Sequence, residues 1–199
     1  YINTKLLGHR FELKEQVDIV SPQNKFLPLA FEGFFLEFST TVVHYSLRQF
    51  INNFVARSFR SYTPHFKRLL KAFATTMQLL SYQNYLQRLP EFTTPIKQLL
   101  SQDPLIIPGA YSGHAICLVK YGTWLAKCDR GANTKKESAV VIYEIGQPEK
   151  FTPDFLYQLI YKRQSEEIFH QKIQQFLQLK PIGDIPIRAQ IIGNCSWAN

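Results

Sequence analysis

Four side chains in the second half of the sequence have the types that nucleophilic catalysis needs: His114, Asp129, Gln190 and Cys195. The segments His114 to Lys120 and Thr123 to Asp129 read as two strands around Tyr121-Gly122. With those two residues as the hairpin loop, Lys120 faces Thr123, Cys117 faces Ala126 and His114 faces Asp129. Directly opposed side chains hold their Cβ atoms about 4.5–5.5 Å apart. A carboxylate at that position fixes the imidazole tautomer and stabilises the imidazolium of a general base. Cys195 follows Gly193 at a strand-to-turn junction. A helix N-terminus there, or a neighbouring imidazolium, would lower the thiol pKa. Gln190 lies upstream and would aim its amide at an oxyanion beside the Cys195 backbone N–H.

The elements that must position these residues follow from periodicity. Leu29, Phe31, Phe34, Phe35, Phe38, Val42, Tyr45, Phe50, Phe54 and Val55 recur at helical spacing as a core-facing stripe. Thr63 is expected to cap a second helix with Pro64 at its first position. The stripe of that helix is Phe66, Leu69, Leu70, Phe73, Met77, Leu80 and Leu86. Thr94-Pro95 opens a shorter helix that stops near Asp103-Pro104. After Pro104 the pattern turns to strands: a short apolar run from Leu105 to Ile107, a loop from Pro108 to Gly113, the hairpin, and a third strand from Ser138 to Ile145. Thr152-Pro153 and Ser165 each begin a helix, and a final strand is expected from Ile185 to Ile192. The expected class is α+β, with a mostly helical lobe over 1–103 and a catalytic core over 104–199.

The 199 residues carry a formal charge of +8, and the composition is that of a globular chain, 45% hydrophobic and 19% charged. No acidic residue lies between Glu37 and Glu91, where Arg48, Arg57, Arg60, Lys67, Arg68, Lys71 and Arg88 all fall. Arg57, Arg60, Lys67, Arg68 and Lys71, interleaved with Phe54, Phe59, Tyr62 and Phe66, read as a solvated basic face or a docking face for an acidic protein, anionic lipid or RNA. The aromatics lie at core spacing. An odd count of three cysteines excludes a complete disulfide framework and favours a reducing compartment. Cys117 and Cys128 read as buried apolar thiols. His114 and Cys117 would point to opposite faces of a strand, which argues against a zinc site. His9, His44, His65 and His170 are read as incidental. No uninterrupted apolar run reaches the roughly 18 residues of a membrane span. The opening at Tyr1 and the abrupt end at Asn199 suggest a piece of a longer parent.

The order His, Asp, Gln, Cys resembles that of the ubiquitin-like-protein protease clan of papain-like cysteine peptidases. Gly113-His114-Ala115-Ile116, Cys128-Asp129-Arg130-Gly131 and Gln190-Ile191-Ile192-Gly193-Asn194-Cys195-Ser196-Trp197 resemble strings in cysteine-protease-like domains of secreted effectors from intracellular bacteria. Legionella-type effectors, some with ankyrin repeats, are among these. The resemblance covers about 105–199 and implies a papain-like fold. It also implies Cys195 as nucleophile, His114 as general base, Asp129 as the orienting acid and Gln190 as oxyanion donor, with no cofactor and no metal. Ala115 and Ser196 stand where family proteases often carry Trp and Gly. The implied activity is a cysteine peptidase or isopeptidase acting on a host protein, including a ubiquitin-like conjugate, after secretion into the host cytoplasm or nucleus. The alternatives are a catalytically degenerate module that binds a host protein or ribonucleoprotein, and an acyltransferase with the same triad.

Overall fold

Left-handed turn residues and changes of hydrophobic period divide the chain into elements in the computed structural model, which describes residues 16–20, 23–30, 36–111, 114–130, 138–162 and 164–187. Strands β1 (Gln16–Val20) and β2 (Phe26–Ala30) form a two-stranded antiparallel sheet. Asn24 in its turn has φ 58°, a left-handed conformation that Asn tolerates. Leu29 therefore belongs to a strand and not to the helical stripe expected of it.

The first helix, α1 (Leu36–Asn52), packs against α2 (Thr63–Ser81), with a 3-10 segment, Phe54–Tyr62, between them. Phe59, at φ −109°, breaks the helical conformation there. Thr63 is the first residue of α2 and Tyr62 stands at the cap position without a side-chain capping bond, so the cap expected of Thr63 is not the one used. It ends at Ser81, earlier than its stripe suggested, and a second 3-10 segment, Tyr82–Phe92, holds Pro90. Tyr45 and Leu69, expected in the core, are exposed. The short helix α3 (Thr93–Leu100) follows.

The main sheet contains β3 (Leu105–Tyr111), β4 (His114–Tyr121), β5 (Trp124–Cys128), β6 (Val140–Glu144) and β7 (Lys180–Ile185). All neighbours are antiparallel and lie in chain order. Helix α4 (Pro153–Tyr161), a π-helical turn at Ile168–Lys172 and α5 (Ile173–Leu177) separate β6 from β7. The architecture is α+β, as expected. Strand β3 runs through Pro108 and Gly109, where the sequence suggested a loop. Among the described residues it is an edge strand of the sheet, the position at which a residue without an N–H does least harm to the ladder. The last described strand ends at Ile185, so the expected strand to Ile192 falls mostly outside the described residues.

One apolar core joins the helices to the sheet. Leu79, Ile96 and Leu100 share it with Leu105, Ile107, Ile116, Leu118, Leu125, Leu156, Phe169 and Leu177. Two hydroxyl groups fasten its layers. Thr76 donates to the Ile106 carbonyl at 2.8 Å, tying α2 to β3. The Tyr161 hydroxyl donates to the Leu79 carbonyl at 2.6 Å, tying α4 to α2. Burial, with Tyr82 and Tyr157 nearby, pushes the Tyr161 phenol well above its usual range. Thr152 caps α4 by accepting from the Phe155 N–H at 3.2 Å, the cap read from the sequence.

Gly109 brings the π-helical turn close to the sheet: a Cβ there would lie 2.6 Å from Phe169 Cζ. Gly109→Ala should cost about 1–3 kcal/mol by overpacking, read as a lowered urea midpoint. Gly183→Ala, where an added Cβ meets nothing within 4 Å, should stay within about 0.5 kcal/mol of the parent. Equal midpoints for the two variants would refute the close-packing account.

Candidate active site

The helix-covered face of the sheet is apolar over most of its length and polar at one end. Pairing and alternation put Ile107, Gly109 and Tyr111 of β3 in one layer with His114, Ile116 and Leu118 of β4 and with Leu125 and Lys127 of β5. Asp129 continues the β5 row, and its N–H donates to the Ala139 carbonyl at 2.8 Å. His114 Nε2 lies 2.8 Å from Asp129 Oδ1, with side chains 19% and 7% exposed.

The contact forms through a register other than the expected one. Tyr121 pairs with Trp124 and Cys117 with Cys128, so the two-residue loop is Gly122-Thr123. Gly122, at φ 58°, takes the first loop position, and its N–H donates to the Asp103 carboxylate at 3.0 and 3.1 Å. His114 and Asp129 are consequently diagonal neighbours and not directly opposed. A shift of two keeps every side chain on its own face, whereas a shift of one would have reversed them. Diagonal partners remain within reach of long side chains.

His170, read as incidental in the sequence, belongs to this cluster. Its Nε2 lies 3.4 Å from Asp129 Oδ2 and 3.0 Å from the Tyr111 hydroxyl, and its Nδ1 lies 3.4 Å from Lys127 Nζ. Lys127 is only 4% exposed. The Asp129 carboxylate thus has an imidazole at each oxygen. A signal was present in the sequence: strand alternation places Lys127 between Leu125 and Asp129 in the core-facing row, where an ammonium must find partners. The two imidazoles face different oxygens of Asp129, and among the described residues no group of three His, Cys, Asp or Glu side chains is arranged to hold a metal.

Gln190 and Cys195 lie outside the described residues. Cys117 and Cys128, expected as buried apolar thiols, oppose one another on the other face of the hairpin as free, partly buried thiols. The Cys117 thiol donates to the Leu118 carbonyl at 3.8 Å, and its neighbour Cys128, helped by burial, pushes Cys117 up while Cys117 draws Cys128 down. Cys128 should therefore be alkylated before Cys117 in iodoacetamide time courses read by peptide mapping. The reverse order would contradict these opposite shifts.

Arg57, Arg60, Lys67, Arg68 and Lys71 are all exposed. Phe59 and Tyr62 are exposed beside them, 44% and 57%, against the core role their spacing suggested. Arg68 donates to the Tyr121 hydroxyl at 3.1 Å, linking the basic helix to the hairpin tip. Among the described residues no helix is long and apolar enough to cross a membrane.

No protein-family model matches the chain. No curated protein matches it either. The solved structure of the Legionella effector AnkH does, with a TM-score of 0.78 and 43% sequence identity over 100% of this chain and 43% of that one. The chain thus spans less than half of that protein's length, and over the whole of its own length it is similar in sequence and fold to a Legionella effector.

Proposed function

We propose that this chain is the cysteine peptidase-like part of a bacterial effector, papain-like in fold and acting on a host protein or a ubiquitin-like conjugate inside the host cell. The observation that carries the reading is the part-buried His114–Asp129 pair at 2.8 Å. Its likeness to a Legionella effector supports the setting. In this reading Asp129 engages Nε2 of His114, and Nδ1 takes the proton of the Cys195 thiol. The thiolate attacks the scissile carbonyl, while Gln190 and the Cys195 backbone N–H hold the oxyanion. His114 then protonates the leaving amine, and water resolves the thioester.

Alkylation of Cys195 tests the triad without a known substrate. At mildly acidic pH, iodoacetamide should modify Cys195 at least about tenfold faster in the parent than in His114→Ala. Equal rates would remove His114 from the mechanism. A ubiquitin vinyl-sulfone adduct that disappears in Cys195→Ala would place the substrate among ubiquitin-like proteins.

The exposed Phe59 and Tyr62 amid basic residues favour a second reading, in which the same chain docks an anionic partner through Arg57, Arg60, Lys67, Arg68 and Lys71. Changing Arg57, Arg60, Lys67 and Lys71 to Glu should lower the salt concentration of elution from heparin without lowering the thermal midpoint. Unchanged elution would rule out this face as a docking surface.

A further inference from the structure

We infer that His170 is a positioning residue for His114: Lys127 holds it as the Nε2–H tautomer, and in that form it occupies the second oxygen of Asp129 and turns the first towards His114. This rests on the peptidase reading only in giving His114 the role of base.

The direction of every bond follows from one donor-only group. A lysine ammonium has three N–H donors and no acceptor. Lys127 Nζ lies 3.4 Å from His170 Nδ1, so that nitrogen presents its lone pair and the ring proton sits on Nε2. Around Nε2 are the Tyr111 hydroxyl at 3.0 Å and Asp129 Oδ2 at 3.4 Å, both able to accept. An ionised carboxylate only accepts. His114 must then also carry its proton on Nε2, 2.8 Å from Asp129 Oδ1. Its Nδ1 is left as the basic nitrogen. With the proton of His170 on Nδ1 instead, two donors would oppose one another at Lys127.

The groups that meet here come from four elements: Tyr111 from β3, His114 from β4, Lys127 and Asp129 from β5 and the residue after it, and His170 from the π-helical turn. Because Gly109 allows Phe169 to lie against the sheet, the following residue, His170, reaches the carboxylate. A carboxylate hydrogen-bonded at one oxygen and with a second imidazole 3.4 Å from the other is hindered from rotating about its own axis. His114 is thereby oriented by a plane and not by a single point.

The test is long-range proton–nitrogen NMR of the whole chain labelled with 15N-histidine, at pH about 7.5, a little above the ordinary histidine pKa, together with Cys195 alkylation rates. The parent should show both His114 and His170 protonated at Nε2 alone, and a His170 protonated at Nδ1 overturns the inference. Lys127→Met should mix the His170 tautomers and slow Cys195 alkylation about tenfold. Lys127→Gln, which keeps an N–H donor, should restore most of the rate. If His114→Ala slows alkylation and folded Lys127→Met does not, His170 has no positioning role. If neither variant changes the rate while the parent tautomers are as stated, the peptidase reading fails and the tautomer assignment stands. Should Lys127→Met not fold, the parent spectrum and Lys127→Gln decide.

Discussion

Two opposite charges that have left water govern this structure. Lys127 and Asp129 are 4% and 5% exposed, on the face of the sheet that otherwise packs the apolar core. Removing one member of such a set strands the other, a loss on the order of 3–5 kcal/mol, whereas the intact set contributes little net stability. A group of this kind persists because its members satisfy one another. Here an imidazole stands between the ammonium and the carboxylate, hydrogen-bonded to the first and 3.4 Å from an oxygen of the second. The rest of the fold must hold β5 and the π-helical turn at the spacing of one ring.

Several contacts do this work together. Edge strand β3 supplies Tyr111 and, two residues earlier, the glycine against which Phe169 packs. Thr76 fixes α2 to β3, and Tyr161 fixes α4 to α2, so the helices bracket the sheet edge that carries the site. The helices before β3 thereby support the sheet's polar end through shared core packing while keeping their basic surface in solvent. Arg68, bonded to Tyr121, marks where that surface meets the hairpin tip.

Much of this was legible in local pattern. Alternation along β4 and β5 put His114 and Asp129 on one face, and that conclusion survived an error of two residues in register because the strand repeat is two. The error itself came from a long-range contact. Asp103, far from the hairpin in sequence, accepts from the Gly122 N–H and holds Gly122 at the first loop position. Strand β3 was obscured by Pro108 and Gly109, whose turn-forming character yields to an edge position and to a close-packed ring. Leu29 was misread because five residues of strand carry too few periods to distinguish from a helix stripe. His170 was read as incidental for a different reason: it sits in a turn whose spacing departs from the 3.6-residue period used to find helix faces.

That wider turn makes the site sensitive to chain length as well as to chemistry. A π-helical turn holds one residue more than an ordinary helix allows. Deleting any single residue within Ile168–Lys172 would let the segment relax to regular α-helix. Everything on one side of the deletion would then rotate by about 100° relative to the other. Phe169 would no longer face Gly109 while His170 faced Asp129. Substitutions can leave this geometry standing, but a loss of one codon there, even one that spares Phe169 and His170, would separate the helix from the sheet's polar end.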